Sequence, residues 1–195
     1  MLAIKEFFKH LFVKSGIIQT IFILSYQNKS EFSKILILVD GSQPSINAAD
    51  SAIALAKKEK DSGNPQLLIA LHVVFSHLGY AYSSAGAFGS TGITTPDAVR
   101  ELLEDAKKEA QQWFNKIKEK INNINNNNNN NIELQTEVIV TATSIVSAII
   151  EYAKNKNVDL IITGTRGRSK FKKLLLGSVA SGVITQASSP VMVVK

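Results

Sequence analysis

The reactive possibilities of this sequence concentrate in a few glycines, one serine and one aspartate. In Asp159-Leu-Ile-Ile-Thr-Gly-Thr-Arg-Gly167 a short apolar run ends in two glycines, and Gly177-Ser-Val179 follows after nine more residues. The run Leu160–Ile162 reads as a buried strand, and Val179, Gly182 and Val183 recur at helical spacing beyond Gly177. Strand, glycine loop and helix start form the arrangement that turns backbone N–H groups toward a phosphate. Glycine suits it because no Cβ blocks close approach. The spacing G-x2-G-x9-G-S is neither the P-loop pattern nor the dinucleotide fingerprint G-x-G-x-x-G. A carboxylate stands at the end of another apolar run, Ile35–Val39, followed by Asp40-Gly41-Ser42.

Other chemistry is poorly supplied. The chain has no cysteine, which excludes disulfides, thiolate nucleophiles and cysteine-based zinc sites. His10, His72 and His77 have no metal-ligand spacing, and no metal site is expected from the protein's own side chains. Gly86-Ala-Phe-Gly89 faintly resembles a kinase glycine loop, but neither a kinase lysine nor a catalytic-loop motif accompanies it.

The elements that must position these residues follow from periodicity. Ile35–Val39 is a β-branched and leucine run typical of a strand buried on both faces. A helix is expected from about Pro44 to Lys60, a second strand over Gln66–Phe75, and an aperiodic loop from Ser76 to Thr95. Pro96 opens a second helix through Leu102, Ala106, Ala110, Phe114 and Ile117. The tract 122–131 is asparagine except for Ile124, and its composition predicts a mobile loop inserted before the next strand. Ile132–Thr141 is that third strand, and Thr143 or Ser144 caps a third helix. The signature stretch supplies the fourth strand and helix, and Pro190–Val194 the fifth strand. This alternation predicts an α/β fold: a doubly wound, mostly parallel five-stranded sheet with helices on both faces. Ligands in such sheets bind beyond the carboxyl ends of the strands, where strand order reverses. If the first strand neighbours the fourth, Asp40 stands beside Gly164.

Residues 1–33 stand apart from this pattern as an extension, leaving 34–195 as the domain. Ile4, Phe7, Phe8, Leu11 and Phe12 fall on one helical face, with Lys5, Lys9 and Lys14 largely off it. Such a segment packs locally or stays mobile, lies on an anionic membrane or serves as a targeting segment. The next apolar run, Gly16–Tyr26, is too short to span a bilayer. The net charge of +6 suits an anionic small ligand as well as a nucleic acid or membrane surface. Aromatic platforms are absent from the basic stretch Arg166–Lys173 apart from Phe171, so nucleic acid is not expected.

From Lys34 to Lys195 the sequence resembles the universal stress protein family. The likeness rests on Ile35-Leu-Ile-Leu-Val-Asp-Gly-Ser42, Leu71-His-Val-Val74, Val158–Gly167, Gly177-Ser-Val179 and Ser189–Val194. It implies a Rossmann-like, adenine nucleotide alpha hydrolase-like fold and, since the whole glycine signature is present, the ATP-binding branch of the family. Leu38 and Asp40 are then cofactor-binding residues, with Asp40 near the ribose and the hydration shell of a Mg ion; apart from the resemblance Asp40 reads as an N-cap for the following helix, and the two roles are compatible. Val73 contacts adenine through its backbone, although an ordinary core valine would look the same. Thr163 and Gly164 pass under the ribose and α-phosphate, and Gly167 opens the loop. Ser178 donates its hydroxyl, and Gly177, Val179 and Ala180 their amides, to the outer phosphates. Ala180 stands where a threonine is often seen, which removes one hydroxyl. The resemblance further implies a cytoplasmic regulatory module that binds ATP, with or without Mg, and a homodimer through the C-terminal edge strand. The alternative is a slow ATPase or autophosphorylating protein. No catalytic residue is assigned, because Asp40 is the only carboxylate the motif places near the phosphates.

Overall fold

Runs of branched aliphatic residues build the centre of this chain, because a strand covered on both faces has no use for alternation. The computed structural model describes residues 21–23, 32–58, 66–76, 96–128, 131–168 and 176–195. In chain order the strands are β1 (Ile21–Ile23), β2 (Lys34–Leu38), β3 (Gln66–Phe75), β4 (Ile132–Thr141), β5 (Leu160–Gly164) and β6 (Val191–Val194). The helices are α1 (Gln43–Lys58), α2 (Pro96–Asn128), α3 (Ile145–Asn155) and α4 (Ser178–Gln186).

The sheet order is β1-β6-β5-β2-β3-β4. Five strands, β2 to β6, run parallel as expected, and β2 lies between β3 and β5. The chain winds outward from β2 first through β3 to β4, then from β5 to β6. Strand order therefore reverses between β2 and β5, and a crevice opens there beyond their carboxyl ends. The expected neighbours are in register: Ile35 opposite Leu160 and Ile37 opposite Ile162.

Helices cover both faces. Ala49, Ala52, Ile53 and Ala56 of α1, with Ala110, Phe114, Ile117 and Ile121 of α2, pack against Ile35, Ile37, Leu68, Leu160 and Ile162. On the other face Ile149 and Ala153 of α3 and Val183 of α4 meet Leu36, Ile69, Ile161 and Val193. Small residues set the spacing between α3 and α4, since a Cβ on Gly182 would come 2.6 Å from a Val146 methyl.

Three features differ from the sequence expectation. First, the asparagine tract is helical as far as Asn128, not a loop. Ile121 is buried and Ile124 packs on the same core, which outweighs the low helix propensity of asparagine. Asn125 then docks the next strand: its Nδ2 donates to the Ile132 carbonyl at 2.9 Å and its Oδ1 accepts the Ile132 N–H at 3.2 Å. Second, the N-cap of α1 is Ser42, whose Oγ accepts the Ser45 N–H and whose carbonyl accepts the Ile46 N–H. Asp40 instead holds Ser42. Third, the sheet has a sixth strand: β1, from the N-terminal extension, pairs antiparallel with the outer edge of β6. The edge expected to meet a second copy is thus covered by the chain's own residues 21–23. The amphipathic segment 4–12, the loop 77–95, Asn129, Asn130 and residues 169–175 lie outside the described residues. Among the described residues no helix is long and apolar enough to cross a membrane.

Candidate functional site

The crevice holds a cavity of about 240 Å³. All ten residues expected to bind cofactor line it: Leu38 at the end of β2 and Asp40 after it, Val73 in β3, Thr163, Gly164 and Gly167 at or just beyond the end of β5, and Gly177, Ser178, Val179 and Ala180 at the start of α4. Val39, Ser45, His72, Ile145, Ile149, Arg166 and Arg168 join them. No sequence motif singles out Ile145 and Ile149 of α3, and His72 stands in its motif without an assigned role.

The loop between β5 and α4 is tied at both ends. The Thr165 N–H donates to the Val194 carbonyl at 2.6 Å, and the Thr165 carbonyl accepts the Gly177 N–H at 2.7 Å. The Gly177 amide is therefore already engaged, contrary to its expected role as a phosphate donor. Helix α4 starts immediately after, and its first intrahelical bond in from the end runs from the Ser181 N–H to the Gly177 carbonyl. The amides of Ser178, Val179 and Ala180 have no acceptor among the described residues, as the first turn of any helix requires. With the positive end of the helix dipole they face the cavity as an anion-receptive group.

Asp40 organises the loops beside it. Its Oδ1 accepts the Ser42 N–H at 3.0 Å and the Ser42 hydroxyl at 2.6 Å. Its Oδ2 accepts the Arg168 N–H at 3.1 Å. A Cβ on Gly167 would strike that same Oδ2, so the carboxylate can approach the loop only because Gly167 lacks one. Gly164 is needed for packing: a Cβ there would come 2.7 Å from the Pro44 carbonyl carbon. Gly41 has φ +80°, and a Cβ on it would run into the Trp113 indole. Trp113 in turn stacks edge-on with His72, ring centres 5.1 Å apart, and carries the Arg168 guanidinium 5.9 Å from its ring centre. Arg168 also pairs with Glu109 at 2.7 Å, an exposed pair of small energetic weight. Helix α2 thus backs the site through Trp113, a contribution no local motif announces.

The backbone groups at the Val73 side of the cavity follow from strand parity. Leu67 donates its N–H to Ser33 before β2 and Leu71 offers its carbonyl to Val39, whereas Gln66 and Ser76 donate to β4 or its preceding residue. Odd-numbered residues of β3 therefore turn their N–H and C=O toward β2. The next bond in that ladder would run from the Val73 N–H to the Val39 carbonyl. That carbonyl instead accepts from His72 Nδ1 at 2.8 Å. Since a carbonyl can only accept, Nδ1 carries the hydrogen. Val73 is left with its backbone N–H and C=O turned past the end of β2 and without a partner among the described residues.

The fold and cavity define a doubly wound α/β domain with a helix N-terminus, a glycine loop and one carboxylate gathered at its switch point. The sequence pattern of the Universal stress protein family matches residues 31–195. Universal stress protein MJ0531 of Methanocaldococcus jannaschii is 31% identical over 164 residues, covering 84% of this chain and 82% of the relative. Universal stress protein YxiE of Bacillus subtilis is 30% identical over 165 residues, covering 84% and 99%. The chain belongs to the Universal stress protein family. Among solved structures, hypothetical protein MJ0577 superposes with a TM-score of 0.61 at 24% identity over 84% of this chain and 96% of that one. Universal stress protein UspA from Lactobacillus plantarum gives 0.60 at 23% identity over 86% and 100%. At these identities the likeness establishes the shared fold.

Proposed function

We propose that the cavity binds an adenine nucleotide, ATP with or without Mg, and that occupancy sets the protein's conformation or choice of partner. The observation that carries this reading is that two unpaired backbone sets line one cavity. The amides of Ser178, Val179 and Ala180 suit phosphate oxygens, and the N–H and C=O of Val73 suit the donor and acceptor edge of adenine. Leu38, Ile145 and Ile149 supply apolar walls. A Mg ion fits the donor set through Asp40, because Mg is commonly held by one or two carboxylates together with phosphates. It would supply charge neutralisation.

Phosphoryl transfer is the second reading and is less well supported. It requires a group that orients the attacking nucleophile. Asp40 is the one carboxylate among the described residues lining the cavity, and both its oxygens already hold the loops around it. Binding without efficient turnover accords better with that arrangement.

Mass spectrometry of ligand released from gently purified protein identifies the nucleotide directly. Calorimetry then tests the phosphate end. Ser178→Ala removes one hydroxyl donor and is expected to weaken ATP by about 1.5–3 kcal/mol, as for a hydrogen bond to a charged group. Adenosine binding should change much less. Equal ATP affinity in both proteins would remove Ser178 from the phosphate site, and no binding of either ligand by wild type would overturn the nucleotide reading.

A further inference from the structure

Strand β4, 10 residues long, forms the other edge of the described sheet, remote from β1 and β6. The two ends of its pairing with β3 fix its backbone parity, because the Asn131 and Thr141 carbonyls accept from Gln66 and Ser76. Odd-numbered residues therefore turn their N–H and C=O to β3, and even-numbered residues turn theirs to the outer edge. Ile132, the first outward residue, is already matched. The Asn125 carboxamide donates to its carbonyl and accepts its N–H, as a residue of a neighbouring antiparallel strand would. Beyond it the outward backbone groups of Leu134, Thr136, Val138 and Val140 have no partner among the described residues. Side chains divide by face. Leu134 and Val138 pack on the core under α2, whereas Glu133, Gln135 and Glu137 are exposed on the side of α3. Burial, and then the charge of Glu137, raise the pKa of the Tyr152 phenol of α3, which fixes that carboxylate on the α3 side. Neither glutamate has an ion pair among the described residues, and the Lys156 ammonium lies over the Tyr152 ring at 5.6 Å.

We infer that the β4 edge docks an extended cationic segment of a partner protein, which adds a strand beside β4 with basic side chains against Glu133 and Glu137. Unpaired edge groups invite a strand of some kind, and Asn125 shows one outward residue taking both a donor and an acceptor. Charge decides which strand. A second copy of β4 fits badly, since the outward even-numbered residues would have to face each other. An antiparallel register centred on Gln135 sets Glu133 opposite the other copy's Glu137, and one centred on Glu137 sets that residue opposite itself. The register centred on Thr136 leaves the two Glu137 side chains on a diagonal. Like charges in such positions are destabilising, whereas lysine or arginine opposite each glutamate is favourable. Glu133 and Glu137 share one face of the strand, so the complement is a segment with basic residues at alternate positions and apolar residues between them. The apolar set then falls on the side of Leu134 and Val138. The inference is independent of what the cavity binds.

The test uses the full-length chain and a blocked peptide of alternating lysine and valine, about eight residues long to match the open edge. Binding should saturate and weaken with added salt. Hydrogen exchange should slow at the amides of Leu134, Thr136 and Val138 and stay unchanged at Gln135 and Glu137, whose N–H groups face β3. The double variant Glu133→Lys, Glu137→Lys should melt like wild type, because both side chains are exposed, and bind the peptide about tenfold more weakly. A peptide with glutamate in place of lysine should reverse that preference, ignoring wild type and binding the double variant. Thr136→Pro removes one outward N–H and leaves the β3 ladder intact, so it too should weaken binding; if it fails to fold, the exchange pattern tests the same backbone pairing. No binding at millimolar lysine peptide, equal affinity in the double variant, or protection at other amides would each overturn the proposal. So would wild type that protects the same amides by pairing with its own copy.

Discussion

His72 donates from Nδ1 to the Val39 carbonyl at 2.8 Å, the same carbonyl that the next bond of the β2–β3 ladder, from the Val73 N–H, would reach. The β2–β3 ladder ends there, and a strand edge is left open on the crevice. Substituting His72→Leu keeps an apolar body beside Trp113 but frees the Val39 carbonyl to take the Val73 N–H. Adenosine affinity should then fall by about 0.5–1.5 kcal/mol, the usual net value of one hydrogen bond. Hydrogen exchange at the Val73 amide should slow in the same variant. Unchanged exchange together with unchanged affinity would dismiss this role for His72.

Asp40 ties Ser42 to the Arg168 amide, joining the two loops that flank the cavity. Asp40→Ala removes that joint and opens space at Gly167. We expect a loss of about 1–3 kcal/mol in folding stability from unsatisfied donors that are partly buried, together with weaker ATP binding. Thermal unfolding with and without ATP separates the two effects. A variant with wild-type melting behaviour would show that the carboxylate does not hold the loops.

Gly177 has φ −74°, and an added Cβ would find its nearest neighbour at 3.5 Å. The fold itself therefore tolerates a side chain there, so Gly177→Val should melt close to wild type while obstructing phosphates at the helix start. Calorimetry should show ATP binding lost and adenosine binding largely kept. ATP binding at full affinity in a folded Gly177→Val protein would move the phosphates elsewhere.

Gly41 combines a positive φ with the Trp113 indole where its Cβ would stand. Gly41→Ala should cost about 1–2 kcal/mol for the left-handed backbone alone, before any displacement of the indole. Trp113 is the only tryptophan, so its fluorescence reports the displacement without labelling. A spectrum and a melting temperature identical to wild type would contradict the packing described.

Asn125 pairs with both backbone groups of Ile132, whereas Asn126 is exposed on the same helix. Asn125→Ala should lower stability by about 1 kcal/mol, and Asn126→Ala should leave it unchanged or slightly higher, alanine being the better helix former. Urea denaturation of the two variants distinguishes them; equal midpoints would mean that the Asn125 contacts contribute nothing.

Much of this molecule is legible in its sequence because the relevant physics is local. Aliphatic runs such as Ile35–Val39 and Leu160–Ile162 can be little other than buried parallel strands, and their alternation with helical periods dictates a doubly wound sheet. Glycine spacing likewise announces a loop at a helix start, and the cavity gathers the residues that spacing singled out. Polar partnerships are different, because a side chain's chemistry does not say which distant group it will meet. Asp40 and Asp159 both adjoin buried strands, yet Asp40 sits at the cavity while Asp159 accepts from Ser33 and Lys34 at the far end of the sheet. Only the packed structure sets Trp113 behind Gly41, gives the Val39 carbonyl to His72, and carries a helix through asparagines that propensity alone would leave unfolded. Those outcomes turn on contacts between segments far apart in sequence, and such contacts exist only once the sheet has brought the segments together.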